Sequence, residues 1–290
     1  MQLTFNGLIA AGTIALIAVS FSLIYNVSKF FHFAHGAIYT IGAYLTYLFF
    51  ITLGFPLFPA IIIAILVCAF MCCLVEIFIY KPLRNKEASS LVLLMASLGL
   101  YIILQNIISL IFGDAVKTLR SGLVAEGMDI LGAKVTPYQI LIILTSLVLI
   151  GGIAILLKKT KMGVVIRAVS GDPDLANVSG VDGNKVVLLT LATGSALAGL
   201  AAILVSLDVD MTPTMGMNAL MMGVVVVIVG GQESISGIAL GALLLGLAQQ
   251  FGVYYLGSEW RDAIAFAILL IFLLFRPQGF MGRSIKKITV

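Results

Sequence analysis

Of 290 residues, 61% are hydrophobic and only 10% charged, with a mean hydropathy of +1.16, which excludes a soluble domain. The formal charge of +4 sits in loops between apolar runs, which excludes a nucleic-acid-binding surface. Alternating ten-residue strands of a membrane barrel are absent, whereas unbroken runs such as 60–74 and 140–157 fit helices, so the expected fold class is all-α, a polytopic transmembrane bundle.

In chain order, spans are expected near 7–25, 33–53, 57–79, 89–112, 138–157, 186–207, 219–231, 236–256 and 261–275, within one transmembrane unit covering 1–290. No cationic stretch precedes the first run, Lys29 being the first basic residue, so that run reads as a retained helix rather than a cleaved signal peptide. Segment 33–53 contains Gly36 and Gly42, and the short run 219–231 ends in Gly230 and Gly231. For both, spanning and re-entrant readings stay open, since a glycine-interrupted segment in each half is the pattern of a path built from broken helices about an internal pseudo-symmetry axis. Glycine placed for close helix packing is the plainer alternative, and the GxxxG spacing of Gly237 and Gly241 and the small pair Ser195 and Gly199 point to packing.

Chemistry-bearing residues within the spans are few. Cys68, Cys72 and Cys73 share one apolar helix, where they are expected to pack as small hydrophobes. His32 and His35 lack a third ligand at metal-binding spacing and are expected to be structural, with no metal. Glu76 is expected to pair with Lys81 or Arg84, because a lone carboxylate in lipid is costly. Neutral polar residues Ser22, Asn26, Ser97, Gln105 and Asn106 are candidates for a translocation path that passes a small neutral or zwitterionic solute.

Alternating the loops places Lys29, Lys81, Arg84, Lys86, Lys158, Lys159, Lys161, Arg167, Lys185, Arg276, Arg283, Lys286 and Lys287 on one side. Only Lys117, Arg120, Lys134 and Arg261 fall on the other, so the first side and the C-terminus are expected in the cytoplasm. The outer loop 113–137 carries Asp114, Lys117, Arg120, Glu126, Asp129 and Lys134, balanced in sign, and reads as a partner surface or a solvated connection.

The chain turns polar over 158–185, reading KKTKMGVVIRAVSGDPDLANVSGVDGNK. Asp172 is placed as an N-cap, Pro173 at the first helical position and Asp174 beside the positive end of the dipole, with Gly180 as exit. These signals predict a helix of roughly eight residues, too short to hold alone in water. With Val164, Val165, Ile166 and Val169 upstream, its Leu175, Ala176 and Val178 are expected to form an apolar knob for a protein partner; an amphipathic segment lying on lipid headgroups is the alternative.

The stretch RAVSGDPDLANVSGV resembles the coupling loop of permease subunits of branched-chain amino-acid ABC importers, with Arg167, Ala168, Asp172, Pro173, Ala176 and Gly180 in register. HFAHGAIYTIGAY, IVGGQESISGIALGALLLG and FRPQG are similar to three further segments of that family, in order, and the short N-terminal tail is similar to its H-type member. The chain departs from the pattern at Met221-Met222 and Gln232-Glu233. The resemblance implies a non-enzymatic permease in a bacterial or archaeal plasma membrane. It also implies cytoplasmic ATPase partners carrying ATP and Mg, a homologous second permease in a heterodimer, and an extracytoplasmic solute-binding protein. No G-x-x-x-x-G-K-[ST] occurs, so ATP chemistry is expected on another subunit and no cofactor on this one. Urea or amides stand as alternative cargo, and the competing classes are a passive channel and an intramembrane hydrolase built on His32, His35 and Ser97.

Overall fold

A computed structural model describes residues 1–120, 127–130 and 132–282. The helices are α1 (Gln2–Ser28), α2 (Ala34–Tyr47, continued by a π turn Leu48–Thr52), α3 (Leu57–Val75, continued by a π turn Glu76–Tyr80), α4 (Lys81–Asn85) and α5 (Ser90–Phe112). After a hairpin of β1 (Met128–Ile130) and β2 (Ala133–Val135) come α6 (Pro137–Lys159), α7 (Lys161–Gly171), α8 (Pro173–Val178), α9 (Gly183–Asp208), α10 (Met215–Gly230), α11 (Ile235–Leu256) and α12 (Arg261–Phe275). Among the described residues seven helical stretches are long and apolar enough to cross a membrane, with α10 shorter. The fold is the expected all-α polytopic bundle. The hairpin inside the 113–137 loop was not expected; Met128 pairs with Val135 across it.

Local sequence sets where the helices begin. Ser89 accepts from the Val92 N–H, and Thr136 and Gln139 form a reciprocal capping box before α6. Thr160, Asp182 and Ser234 cap α7, α9 and α11 with their side-chain oxygens.

Contacts sort the loops to two ends. At one, the Gln2 side chain exchanges hydrogen bonds with the Lys134 backbone at 3.0 and 2.7 Å, and Lys117 bridges Met211. This Gln2 end gathers the start of α1, the hairpin and the connections after α5 and α9. At the opposite, Lys29 end, Ser22 and Asn26 donate to the Gln232 carbonyl at 2.7 and 2.9 Å, and Phe280 N–H donates to Val229.

Two helices are broken. His35 at the start of α2 bonds Ser20 at 2.9 Å, and Ser20 lies two turns before the end of α1. The chain has therefore re-entered the bundle by about 12 Å before α2 begins. α9 likewise runs its full length to the Gln2 end, and an extended stretch returns inward before α10 starts. Gly36, in the first turn of α2, rests on Gly216, in the first turn of α10, so closely that a Cβ on Gly216 would overlap the Gly36 carbonyl oxygen. Higher in α2, a Cβ on Gly42 would stand 2.6 Å from the Gly199 Cα of α9. Gly237 and Gly241 both face Gly230 across α10 and α11, and Ser195 is buried on α9. The expected span 219–231 thus starts earlier, at Met215, and 33–53 starts inside the bundle.

Candidate functional site

One face of α1 carries Asn6, Ile9, Ala10, Thr13, Ile14 and Ile17, spaced by alternating threes and ones, and this face borders a cavity of about 600 Å³ at the Gln2 end. From Asn6 to Ile17 the wall extends about 16 Å. Opposite stand Tyr39 of α2, Gln139 and Ile142 of α6, and Gln249 of α11. The start of α10 lends Met215, Asn218 and Met222, below a rim of Asp208, Asp210, Arg261 and Asp262.

The rim is charged and the floor apolar. Arg120 donates to Asp210 Oδ1 at 2.7 Å and holds that carboxyl below the usual carboxylate range. Asp208 and Asp262 have no ion-pair partner among the described residues. Deeper, Gln249 Nε2 donates to the Arg261 carbonyl at 3.2 Å and approaches Met222 Sδ at 3.4 Å.

None of the five residues expected to line a path borders this cavity. Ser22 and Asn26 instead tie the end of α1 to the α10–α11 turn. Ser97 accepts from the Phe33 N–H at 3.1 Å and donates to the Phe31 carbonyl at 3.0 Å, satisfying the backbone of the re-entrant stretch. Asn106 donates to its own helix at the Ile102 carbonyl, and Gln105 is half-buried on the same helix. The residues that do border it, Tyr39, Asp208, Asp210 and Gln249 among them, were not singled out in the sequence. The available signal was the polar pair Asn6 and Thr13, two turns apart on the cavity face of α1.

The histidines anchor the re-entrant stretch. His32 Nδ1 bonds the Tyr80 hydroxyl at 2.9 Å, with Cys72 Sγ 3.9 Å from Nε2, while His35 bonds Ser20. Ser97 bonds neither ring; the serine beside His35 is Ser20, whose hydroxyl also donates to the Ile17 carbonyl at 2.8 Å within its own helix. The π turn after α3 brings both Glu76 and Tyr80 inward, and Glu76 pairs with Arg84 rather than Lys81, one bond measuring 3.1 Å. The cysteines are free; Cys68 and Cys72 are buried and Cys73 is half-buried.

At the Lys29 end, Asp172 Oδ1 accepts from the N–H groups of Asp174 and Leu175, both at 3.0 Å, Pro173 opens α8, and Gly180 leaves it at φ +87°. The helix has six residues rather than eight and follows a separate eleven-residue α7. Arg167, Ala168, Asp172, Pro173, Asp174 and Gly180 are exposed, whereas Ala176 is buried. Ile166 and Val169 join the bundle core instead of the knob. What remains outside is Val164, Leu175 and Val178, the last 87% exposed.

The sequence model of the family described as branched-chain amino acid transport system, permease component, matches residues 3–273. The chain belongs to that family. It is 32% identical to the high-affinity branched-chain amino acid transport system permease protein BraD of Pseudomonas aeruginosa, over 98% of this chain and 96% of that protein. The corresponding LivH of Escherichia coli is 30% identical with the same coverage. Among solved structures, a chain of PsaBC from Streptococcus pneumoniae in complex with Fab aligns with a TM-score of 0.53 over 96% of this chain and 93% of that one, at 14% identity, which speaks for a shared fold alone.

Proposed function

We propose that this chain is one permease subunit of an ATP-driven importer of branched-chain amino acids in a bacterial or archaeal plasma membrane. The observation that carries the reading is α8: a capped six-residue helix, too short to hold by itself, presents Leu175 and Val178 to water beside Arg167 and Asp174 on a bundle of the permease family. A cytoplasmic ATPase subunit covering these residues would move α7 and α8, which are continuous with α6 and α9.

In this reading the Lys29 end, which holds ten basic residues among those described, faces the cytoplasm. Arg283, Lys286 and Lys287 of the C-terminal tail lie outside the described residues. ATP and Mg belong to the partner, and this subunit catalyses no reaction and holds no cofactor or metal. The Gln2 end meets the solute-binding protein, and a homologous second permease completes a heterodimer.

The test is uptake by the reconstituted complex of leucine, isoleucine and valine against urea and acetamide, with ATP supplied on one side. Branched-chain uptake that disappears, together with ATPase association, in an Arg167→Ala/Asp172→Ala double variant is the expected result. Undiminished association in the double variant would overturn the coupling role, and uptake of urea alone would overturn the cargo. A cysteine at Asp174 should react with an impermeant thiol reagent only from the ATP side, and one at Asp129 of the 113–137 loop only from the other; Glu126 of that loop lies outside the described residues.

A further inference from the structure

The cavity at the Gln2 end holds two buried polar side chains whose hydrogen-bonding capacity is unspent. Tyr39 is 3% exposed and its hydroxyl has no partner among the described residues. Gln249 is 2% exposed; its amide nitrogen is used, and its oxygen is left without a donor among the described residues. Both residues border the cavity, so a hydroxyl and an amide oxygen are available there to a polar solute without first breaking a hydrogen bond among the described residues.

Three further features fix the chemistry. α10 starts at the cavity, and Thr214 at its head provides no side-chain cap; the Met215 and Met217 N–H groups are taken by the Thr212 and Thr214 carbonyls, which leaves the positive end of the helix dipole to favour an anionic group. Asp208 stands at the rim beside Gln139, with no cation of the described residues within ion-pair distance and the Arg120 guanidinium acting on it from further off, whereas its neighbour Asp210 bonds Arg120 directly. Ile9, Ile17, Ile142 and Met222 supply a branched apolar wall. At about 600 Å³ the space lies within the usual ~300–1,000 Å³ of small-molecule sites.

We propose that this cavity is a binding site within the permease for a zwitterionic aliphatic amino acid. The first turn of α10 and the Tyr39 hydroxyl take the carboxylate, Asp208 takes the ammonium, and the side chain lies on Ile17, Ile142 and Met222. The site rests on the importer reading above and deepens it: the permease itself selects for charge at both ends of the solute, in addition to any selection by a binding protein.

The assembled transporter carrying Thr13→Cys is placed in nanodiscs and alkylated with a water-soluble maleimide, alone, with L-leucine, and with 2-hydroxy-4-methylpentanoate, which has a hydroxyl in place of the ammonium. Leucine should slow alkylation and the hydroxy acid should not. Asp208→Asn should raise the half-protecting leucine concentration about tenfold, and Tyr39→Phe, which removes only the hydroxyl, should raise it by a smaller factor. Equal protection by both compounds overturns the site, as does leucine uptake with no protection at Thr13→Cys, and in the latter case the importer reading survives. Absence of any aliphatic amino-acid uptake by the unsubstituted complex overturns both.

Discussion

The most oily helices of this chain are the least enclosed by it. α3 and α6 are the most apolar spans, yet in their most apolar windows only 22% and 11% of residues are buried, against 72% for α1 and 67% for both α2 and α9. In water the order would be reversed. In lipid the tails are as apolar as leucine, so hydropathy marks a span without saying whether it sits inside, and the inside is decided by which backbones can approach. α1, α2, α9, α10 and α11 meet through glycines, whereas Gly99 of α5 and Gly151 and Gly152 of α6 have open space where a Cβ would go.

The sharpest way to break this contrast is Gly216→Val. The new side chain has no direction free of the Gly36 carbonyl and the Thr40 hydroxyl, and both opposing atoms belong to the first turn and a half of α2. Overpacking at such a contact costs about 3 kcal/mol or more, and here it parts the two broken helices at their starts. Thermal unfolding in detergent should show the largest loss of any single substitution considered, and an unchanged midpoint would refute the claim that these backbones touch.

Gly216 also shows where the sequence stops being readable. Gly36, Gly42, Gly199, Gly237 and Gly241 stood out as packing residues because their spacing along one helix is visible, but a glycine's partner on another helix depends on tertiary register. The helices themselves and the Asp172 cap were readable, since apolar length and capping are local. The cavity was not. Its polar residues come by ones and twos from seven helices, and the polar residues that looked functional, Ser22, Asn26 and Ser97, are occupied with backbone groups of the re-entrant stretch and the α10–α11 turn. A polar side chain in an oily helix reads the same whether it serves a solute or a carbonyl.

Next in size is Arg84→Met. Glu76 is 1% exposed and is paired with the guanidinium through two bonds, so removal of the arginine leaves a buried carboxylate alone. The expected loss is about 2–3 kcal/mol, tempered because Arg84 itself is partly solvated. Glu76→Gln/Arg84→Met should recover most of it. If the single and double variants melt alike, the pair does not secure the end of α3, and the outer helices are held by lipid alone.

Asp172→Ala is smaller and more local. It removes the acceptor for two N–H groups at the start of α8 and costs about 1 kcal/mol. The bundle midpoint should stay put while amide exchange at Asp174 and Leu175 speeds up. A fall in the midpoint would mean that α8 is packed into the bundle as firmly as the inner helices are.

The smallest effect is expected at Gly151→Ala, and it is the one that bears most on the intact complex. Nothing lies within 4 Å of the position a Cβ would take, and an alanine in mid-helix is favoured over glycine by about 0.5–1 kcal/mol. The isolated chain should therefore melt at the same temperature or slightly higher. A residue that gains stability by losing its glycine has no folding reason to be glycine in the lone subunit. If the same substitution weakens assembly with the second permease proposed above while leaving the isolated chain intact, the exposed face of α6 is not a lipid face but a subunit contact, and the division between inner and outer helices drawn from one chain would have to be redrawn for two.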